Sequence, residues 1–129
     1  MIVLDAGAAV ELLGGSPVGR RVGSLLLADD VVAPELLDVE TTSSLARLVR
    51  AGAVTDEAAS SRVRALHRMP VVRIPHRPLV ERVWRLRDRV RISDAFYVAC
   101  AELVDGSLLT TDARLGRAAL SGVTITVVT

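Results

Sequence analysis

The chain has no lysine: all 16 of its basic residues are arginine, set against 15 acids for a formal net charge of +1. A phosphoacceptor receiver domain is thereby excluded, because it needs a lysine on the phosphoryl group. The single cysteine, Cys100, rules out an internal disulfide and any Cys-rich zinc site. Its expected place is a helix core. Histidine is scarce as well: His67 and His76 both fall in arginine-rich segments and read as surface residues rather than ligands. Trp84, Phe96 and Tyr97 are the whole aromatic content, too little for a platform on which single-stranded bases stack. Any nucleic acid must then be held by charge and shape. No apolar run approaches the ~18 residues of a membrane span, and no basic segment precedes the short apolar start. The expectation is a soluble, cytoplasmic protein with no membrane partner.

What is present is a chain of 129 residues, half of them apolar, with positive mean hydropathy. That argues against disorder and predicts one domain, residues 1–129, burying roughly two thirds of its unfolded surface. The near-neutral charge is unevenly spread. Ten arginines lie in residues 62–91 against only Glu81 and Asp88, a formal surplus of eight. Arginine forks match phosphate geometry, so this stretch points to an anionic partner such as a nucleic-acid backbone. A solvated helix face is the plainer alternative for any one of them.

Residues 2–5, 31–33, 71–74, 108–111 and 123–128 are short and rich in β-branched residues, and predict strands. Helices are predicted over 8–13, from Pro17 to about residue 28 with Ser16 as cap, and from Pro34 to about residue 51. Others follow Thr55 to residue 68, span 78–90, follow a Ser93 cap to about 104, and span 113–120. Leu25, Leu26 and Leu27 read as core or as part of a partner groove, and Trp84 as core or dimer interface. Strands alternating with helices imply an α/β domain, a parallel sheet with helices on both faces.

The acids are the most informative residues. Asp5 ends the run Ile2-Val3-Leu4, and Asp112 ends Leu108-Leu109-Thr110-Thr111. In such a sheet the carboxyl ends of strands open onto the ligand crevice, so both carboxylates face it. Each could instead be a helix N-cap. Asp94 follows Ser93 at a helix start, where negative charge also suits the macrodipole. Glu40 shares a helix face with Leu36, Leu37, Ser43 and Ser44, whereas Asp38 points elsewhere and is expected to be exposed. Two carboxylates about 4 Å apart repel by roughly 4 kcal/mol at an effective dielectric of 20, so a shared divalent cation or shared protons must relieve them. All-oxygen ligands suit Mg²⁺ or Mn²⁺ and metal-assisted hydrolysis. A dehalogenase-type phosphatase would want a second Asp at position 7, which is Gly7.

The segments IVLDAGAAVELL, APELLDVETTSSLARLVRAG, ISDAFYVACAEL and LLTTDARLGRAA, with Asp, Glu, Asp and Asp in that order, together resemble the PIN-domain nucleases. The resemblance is nearest to the small VapC-type toxins of bacterial toxin–antitoxin modules. It implies a PIN-like central five-stranded parallel sheet flanked by helices. It also implies a Mg²⁺-dependent endoribonuclease (Mn²⁺ a possible substitute) in which Asp5, Glu40, Asp94 and Asp112 hold the metal and carry catalysis. Thr111 matches a supporting hydroxyl position. The implied substrate is tRNA or rRNA, cut so that translation stops. The implied partners are a second copy of the chain and a cognate antitoxin that lays a basic side chain on the carboxylates. Family members often carry Ser or Thr after the first Asp. Ala6 and Gly7 stand there instead, so a hydroxyl that could orient Asp5 is expected to be missing. The alternative is a catalytically inactive module of the same fold that binds nucleic acid or protein.

Overall fold

The computed structural model describes residues 1–118, 120 and 122–129. Its sheet is built on two central strands, β1 (Ile2–Leu4) and β4 (Ser107–Thr110), whose Val3, Leu4, Leu108 and Leu109 are all buried. Strand β2 (Val31–Pro34) and then β3 (Val72–Ile74) pair outward from β1, and β5 (Ile125–Val127) pairs outward from β4. All four pairings are parallel, giving five strands in the order β3-β2-β1-β4-β5. The chain steps one way from β1 to β3 and the other way from β3 to β5. Right-handed crossovers therefore place the helices between β1 and β3 on one face and those between β3 and β5 on the other. The expected five-stranded parallel α/β sheet is what the chain forms.

Helix α1 (Ala6–Gly14) starts directly after β1 and ends at Gly15 in a left-handed conformation. Helix α2 (Pro17–Leu26) begins as expected: Ser16 Oγ accepts from Gly19 N–H at 2.9 Å and Pro17 occupies the first turn. The two helices pack so closely that a Cβ on Gly19 would collide with the Glu11 carbonyl. Helix α4 (Asp56–Arg68) is capped by Thr55, whose hydroxyl accepts from Ala58 N–H at 3.1 Å. Cys100 is buried on α6 (Ile92–Leu103), as expected.

Several boundaries differ from expectation, each for a local reason. Pro34 does not open a helix; its Cα pairs with Ile74, so it ends β2, and α3 (Leu36–Arg50) starts two residues later. No side chain of Glu35 caps α3. His76 does so from across the sheet edge, its Nε2 accepting from Leu36 N–H at 2.8 Å while its ring lies 4.8 Å from that of Phe96. His76 is thus half-buried and structural rather than a surface residue. Ser93 is not a cap: α6 begins one residue before it, Arg91 taking the cap position without a side-chain bond and its carbonyl receiving Ala95 N–H at 2.9 Å.

The helix expected over 78–90 is a 3-10 turn (Arg77–Leu79) followed by α5 (Val80–Leu86). The Leu86 carbonyl receives both Arg89 and Val90 N–H, which closes the helix in a tight turn. Helix α7 is only Ala113–Arg117, and of its expected extension Ala119 lies outside the described residues. Leu25 and Leu27 are exposed, which removes the core reading for them, and so is Trp84, over which Arg87 stacks at 4.2 Å. Among the described residues no helix is long and apolar enough to cross a membrane.

The arginine-rich stretch is partly structural. Arg82 forks onto Glu102 of α6 at 2.5 and 2.9 Å. Arg73 binds both oxygens of Asp38 (2.9 and 3.2 Å) and the carbonyls of Met69, Val71 and Leu66 (2.9 to 3.0 Å). Asp38 is therefore partnered rather than simply exposed, and one guanidinium ties β3, α3 and the end of α4 together. Arg73→Met strands three carbonyls and a carboxylate, and is expected to destabilise the fold by about 2–3 kcal/mol, a melting temperature lower by roughly 6–12 °C. A shift below about 2 °C in a thermal melt would show that water replaces the fork without loss.

Candidate active site

The strand order reverses between β1 and β4, and a crevice opens beyond the carboxyl ends of strands at such a point. Asp5 and Asp112 follow those two strands. A cavity of about 370 Å³ lies there, lined by Asp5, Glu40, Asp94 and Asp112, with Ser43, Ser44, Arg47, Arg91, Tyr97 and Thr111 around them. The four acids singled out from sequence are thus brought to one crevice from four elements.

Asp5 is 8% exposed, and each of its carboxylate oxygens accepts a hydrogen bond. Its Oδ1 accepts from Ala8 N–H at 2.8 Å, so it does cap α1. Its Oδ2 accepts from the hydroxyl of Thr110. Because Leu4 pairs with Leu109, the next residues of the two strands, Asp5 and Thr110, lie side by side. The fully buried Thr110 hydroxyl also accepts from Asp112 N–H at 3.0 Å. One oxygen thereby fastens the first acid to the backbone of the last. The orienting hydroxyl expected to be missing after Asp5 is supplied instead by the neighbouring strand. Thr111 lies at the pocket wall, where a Cβ on Gly7 would come within 2.8 Å of its Oγ1; the small residue at 7 keeps that space open.

Glu40 sits on α3 and accepts from the Tyr97 hydroxyl at 2.7 Å. Tyr97 is 2% exposed. Burial first, and then the bond to Glu40, push its phenol well above the ordinary value, so it stays a donor. Tyr97 lies one turn after Asp94 on α6, and Arg47 lies two turns after Glu40 on α3. Helical spacing from the two acids could have found both residues. Thr110 had a fainter signal, a polar residue directly after the buried pair Leu108-Leu109.

Burial raises the Asp5 carboxyl from 3.8 to about 6; the Thr110 and Ala8 bonds oppose this, while the charges of Asp94 and Glu40 add to it. Asp112 goes the other way. Burial disfavours its charge, but hydrogen bonds from the Arg114 side chain and main chain outweigh that and hold the carboxyl below its usual value. The Arg114 N–H reaches Asp112 Oδ1 at 2.8 Å, so this acid too is a helix cap. Arg91 lies 3.3 Å from Asp94 and 3.9 Å from Asp112. The site therefore holds one buried acid whose carboxyl is pushed up and two acids paired with arginines.

Among the described residues no three Asp, Glu, His or Cys side chains are already drawn together as an ion-binding cluster. The donor chemistry nonetheless fits a hard divalent cation. The acids of the crevice offer only oxygen, and burial pushes the thiol of Cys100 up to about 11, far from a thiolate ligand. Asp5, buried and repelled by two neighbouring acids, is the group that such a cation would relieve.

Known proteins place the chain. A family model described as PIN domain matches residues 2–120. Ribonuclease VapC1 of Mycobacterium tuberculosis is 40% identical over 118 residues, covering 90% of this chain and 89% of that protein. Similar folds are found in VapBC2 from Rickettsia felis bound to a DNA fragment from its promoter (TM-score 0.74, 12% identity, 100% of both chains) and in a toxin–antitoxin complex from Klebsiella pneumoniae (TM-score 0.71, 18% identity, 96% of both chains). From the order of its four acids, its five-stranded parallel sheet and its likeness to the Mycobacterium ribonuclease, the chain belongs to the PIN-domain family, alongside the VapC ribonucleases.

Proposed function

We propose that this protein is a metal-dependent endoribonuclease and the toxin of a toxin–antitoxin pair. The observation that carries the reading is the convergence of Asp5, Glu40, Asp94 and Asp112 on one crevice. Those four would hold Mg²⁺, with Mn²⁺ a substitute, and the ion would polarise a phosphoryl oxygen and acidify the attacking water. Asp5 is the residue through which pH acts, because it must lose its proton, near pH 6, before it can serve as a ligand. Tyr97 fixes the orientation of Glu40, and Thr110 that of Asp5. Arg47, on the crevice wall with Ser43 and Ser44, offers a fork to the substrate's phosphate backbone.

The substrate is tRNA or rRNA, and its cleavage in the cytoplasm halts translation. Kinship with a protein named as a ribonuclease supports the RNA reading. Folds shared with toxin–antitoxin complexes support a cognate antitoxin as partner, placing a basic side chain over the acids. A second copy of the chain, as homodimer, completes the partners.

Total bacterial RNA incubated with the protein and Mg²⁺ or Mn²⁺ should give discrete new fragments, and EDTA should prevent them. Metal binding without any fragments would favour a binding module instead. Absence of metal binding would remove the reading. Tyr97→Phe deletes only the phenolic hydroxyl, so Glu40 loses its anchor. About 1 kcal/mol of stability and roughly a tenfold loss of cleavage are expected. Unchanged cleavage in a time course would show that Glu40 needs no positioning.

A further inference from the structure

A second cavity of about 200 Å³ adjoins the acidic one and shares Arg91, Asp94 and Asp112 with it. Beyond those two acids it adds Arg89 and Arg114, which stand with Arg91 around Leu115. Arg91 alone among these arginines lines both cavities. It leads into α6 from the cap position, its side chain is 66% exposed, and it spans the two acids Asp94 and Asp112.

Resting on the metal-dependent reading above, we infer that Arg91 has two positions. With no metal present it is the counter-ion of Asp94 and Asp112. With metal in the site it turns into the adjoining cavity and binds the phosphate next to the one being cut.

The reasoning is electrostatic. A guanidinium 3.3 and 3.9 Å from two carboxylates relieves their repulsion when no other cation is near. A divalent ion held by the same carboxylates would repel the guanidinium. Mostly exposed, the side chain has room to leave, and the pocket next to it holds two further arginines whose guanidinium forks match a phosphodiester once a cation offsets the shared acids. Arg114 makes a weaker case, since its fork reaches Asp112 only. The chain would thus carry its own placeholder for the ion, and the ion would release an arginine to the substrate.

Two measurements on the intact protein test this, with Arg91→Gln and Arg114→Gln beside the wild type. By calorimetry, Arg91→Gln should bind Mn²⁺ about three- to tenfold more tightly, because no placeholder competes, and Arg114→Gln should change less. By fluorescence polarisation with oligo-dT as the phosphate-backbone probe, the wild type in Mn²⁺ should show a salt dependence steeper than Arg91→Gln by about one unit of log–log slope. In EDTA the two slopes should coincide, since the acids then hold Arg91. A structural role would move neither readout in this metal-dependent way. Equal or weaker Mn²⁺ affinity in Arg91→Gln, with the wild type binding Mn²⁺ normally, overturns the role of Arg91 alone. Slopes that coincide in Mn²⁺ overturn its phosphate contact. Failure of both proteins to bind Mn²⁺ overturns this inference and the metal-dependent reading together.

Discussion

Asp5→Asn should reduce RNA cleavage by at least about a thousandfold, in line with the loss of a metal ligand that also shapes the field at the phosphoryl group, and in the absence of metal it should make the fold more stable. The second half of that expectation follows from the raised carboxyl. Asp5 titrates near 6 in the folded chain against 3.8 for the unperturbed group. Between those two values the folded state keeps a proton that the unfolded state has released, so raising the pH favours unfolding. The penalty is complete above about pH 6 and amounts to about 3 kcal/mol. It vanishes below about pH 4, where both states are protonated.

Asparagine carries no charge and escapes the penalty, less whatever the Thr110 hydroxyl loses when it must turn from donor to acceptor. Denaturant melts in EDTA should then show the variant ahead of the wild type at pH 7.5 and level with it near pH 4. Saturating Mg²⁺ should reverse the order at pH 7.5, because only the wild type gains binding energy from the ion. A variant less stable than the wild type throughout would mean that Asp5 serves α1 as a cap and nothing more. The same carboxyl sets the acid limb of activity, since cleavage and metal affinity should both fall as pH drops through about 6.

The parts of this molecule legible in its sequence are those where local pattern and tertiary role coincide. Asp5 and Asp112 could be placed because a polar residue ending a short apolar strand has few destinations in a parallel sheet. Ser16-Pro17 and Thr55 announced their helices because capping is a contact made within three residues. What escaped notice depends on partners far along the chain. His76 caps α3 across 40 residues, Tyr97 holds Glu40 across 57, and Thr110 holds Asp5 across 105. Arg73 looked like one more basic residue of an anionic-partner face, yet it is consumed by Asp38 and three carbonyls. Charge counted along the sequence therefore overstates the charge available to a ligand. The arginines that do line the crevice, Arg47 and Arg91, sit outside the middle of the basic run and within helical reach of the acids.

Thr110→Val should be the most destabilising substitution of an uncharged residue at the crevice. Valine keeps the shape of this fully buried side chain but can neither donate to Asp5 nor accept from Asp112 N–H. Losing a hydrogen bond to a charged group and stranding a backbone donor should together destabilise the protein by about 2–4 kcal/mol at neutral pH. The Thr110 bond is also the strongest influence holding the Asp5 carboxyl down. Without it the group should titrate roughly one unit higher, since a bond worth about 1.4 kcal/mol to the charged form shifts it that far. The acid limb of cleavage should follow, leaving about threefold less activity at pH 6.5, approaching tenfold below about pH 5.5, with nearly full recovery at pH 8. Thr110→Ser keeps the hydroxyl and should restore both the limb and most of the activity. Thr111→Val, one residue on, should change cleavage less. If Thr111→Val were the more harmful, the supporting hydroxyl would be the one that the family resemblance suggests, and the bond from Thr110 would serve packing alone.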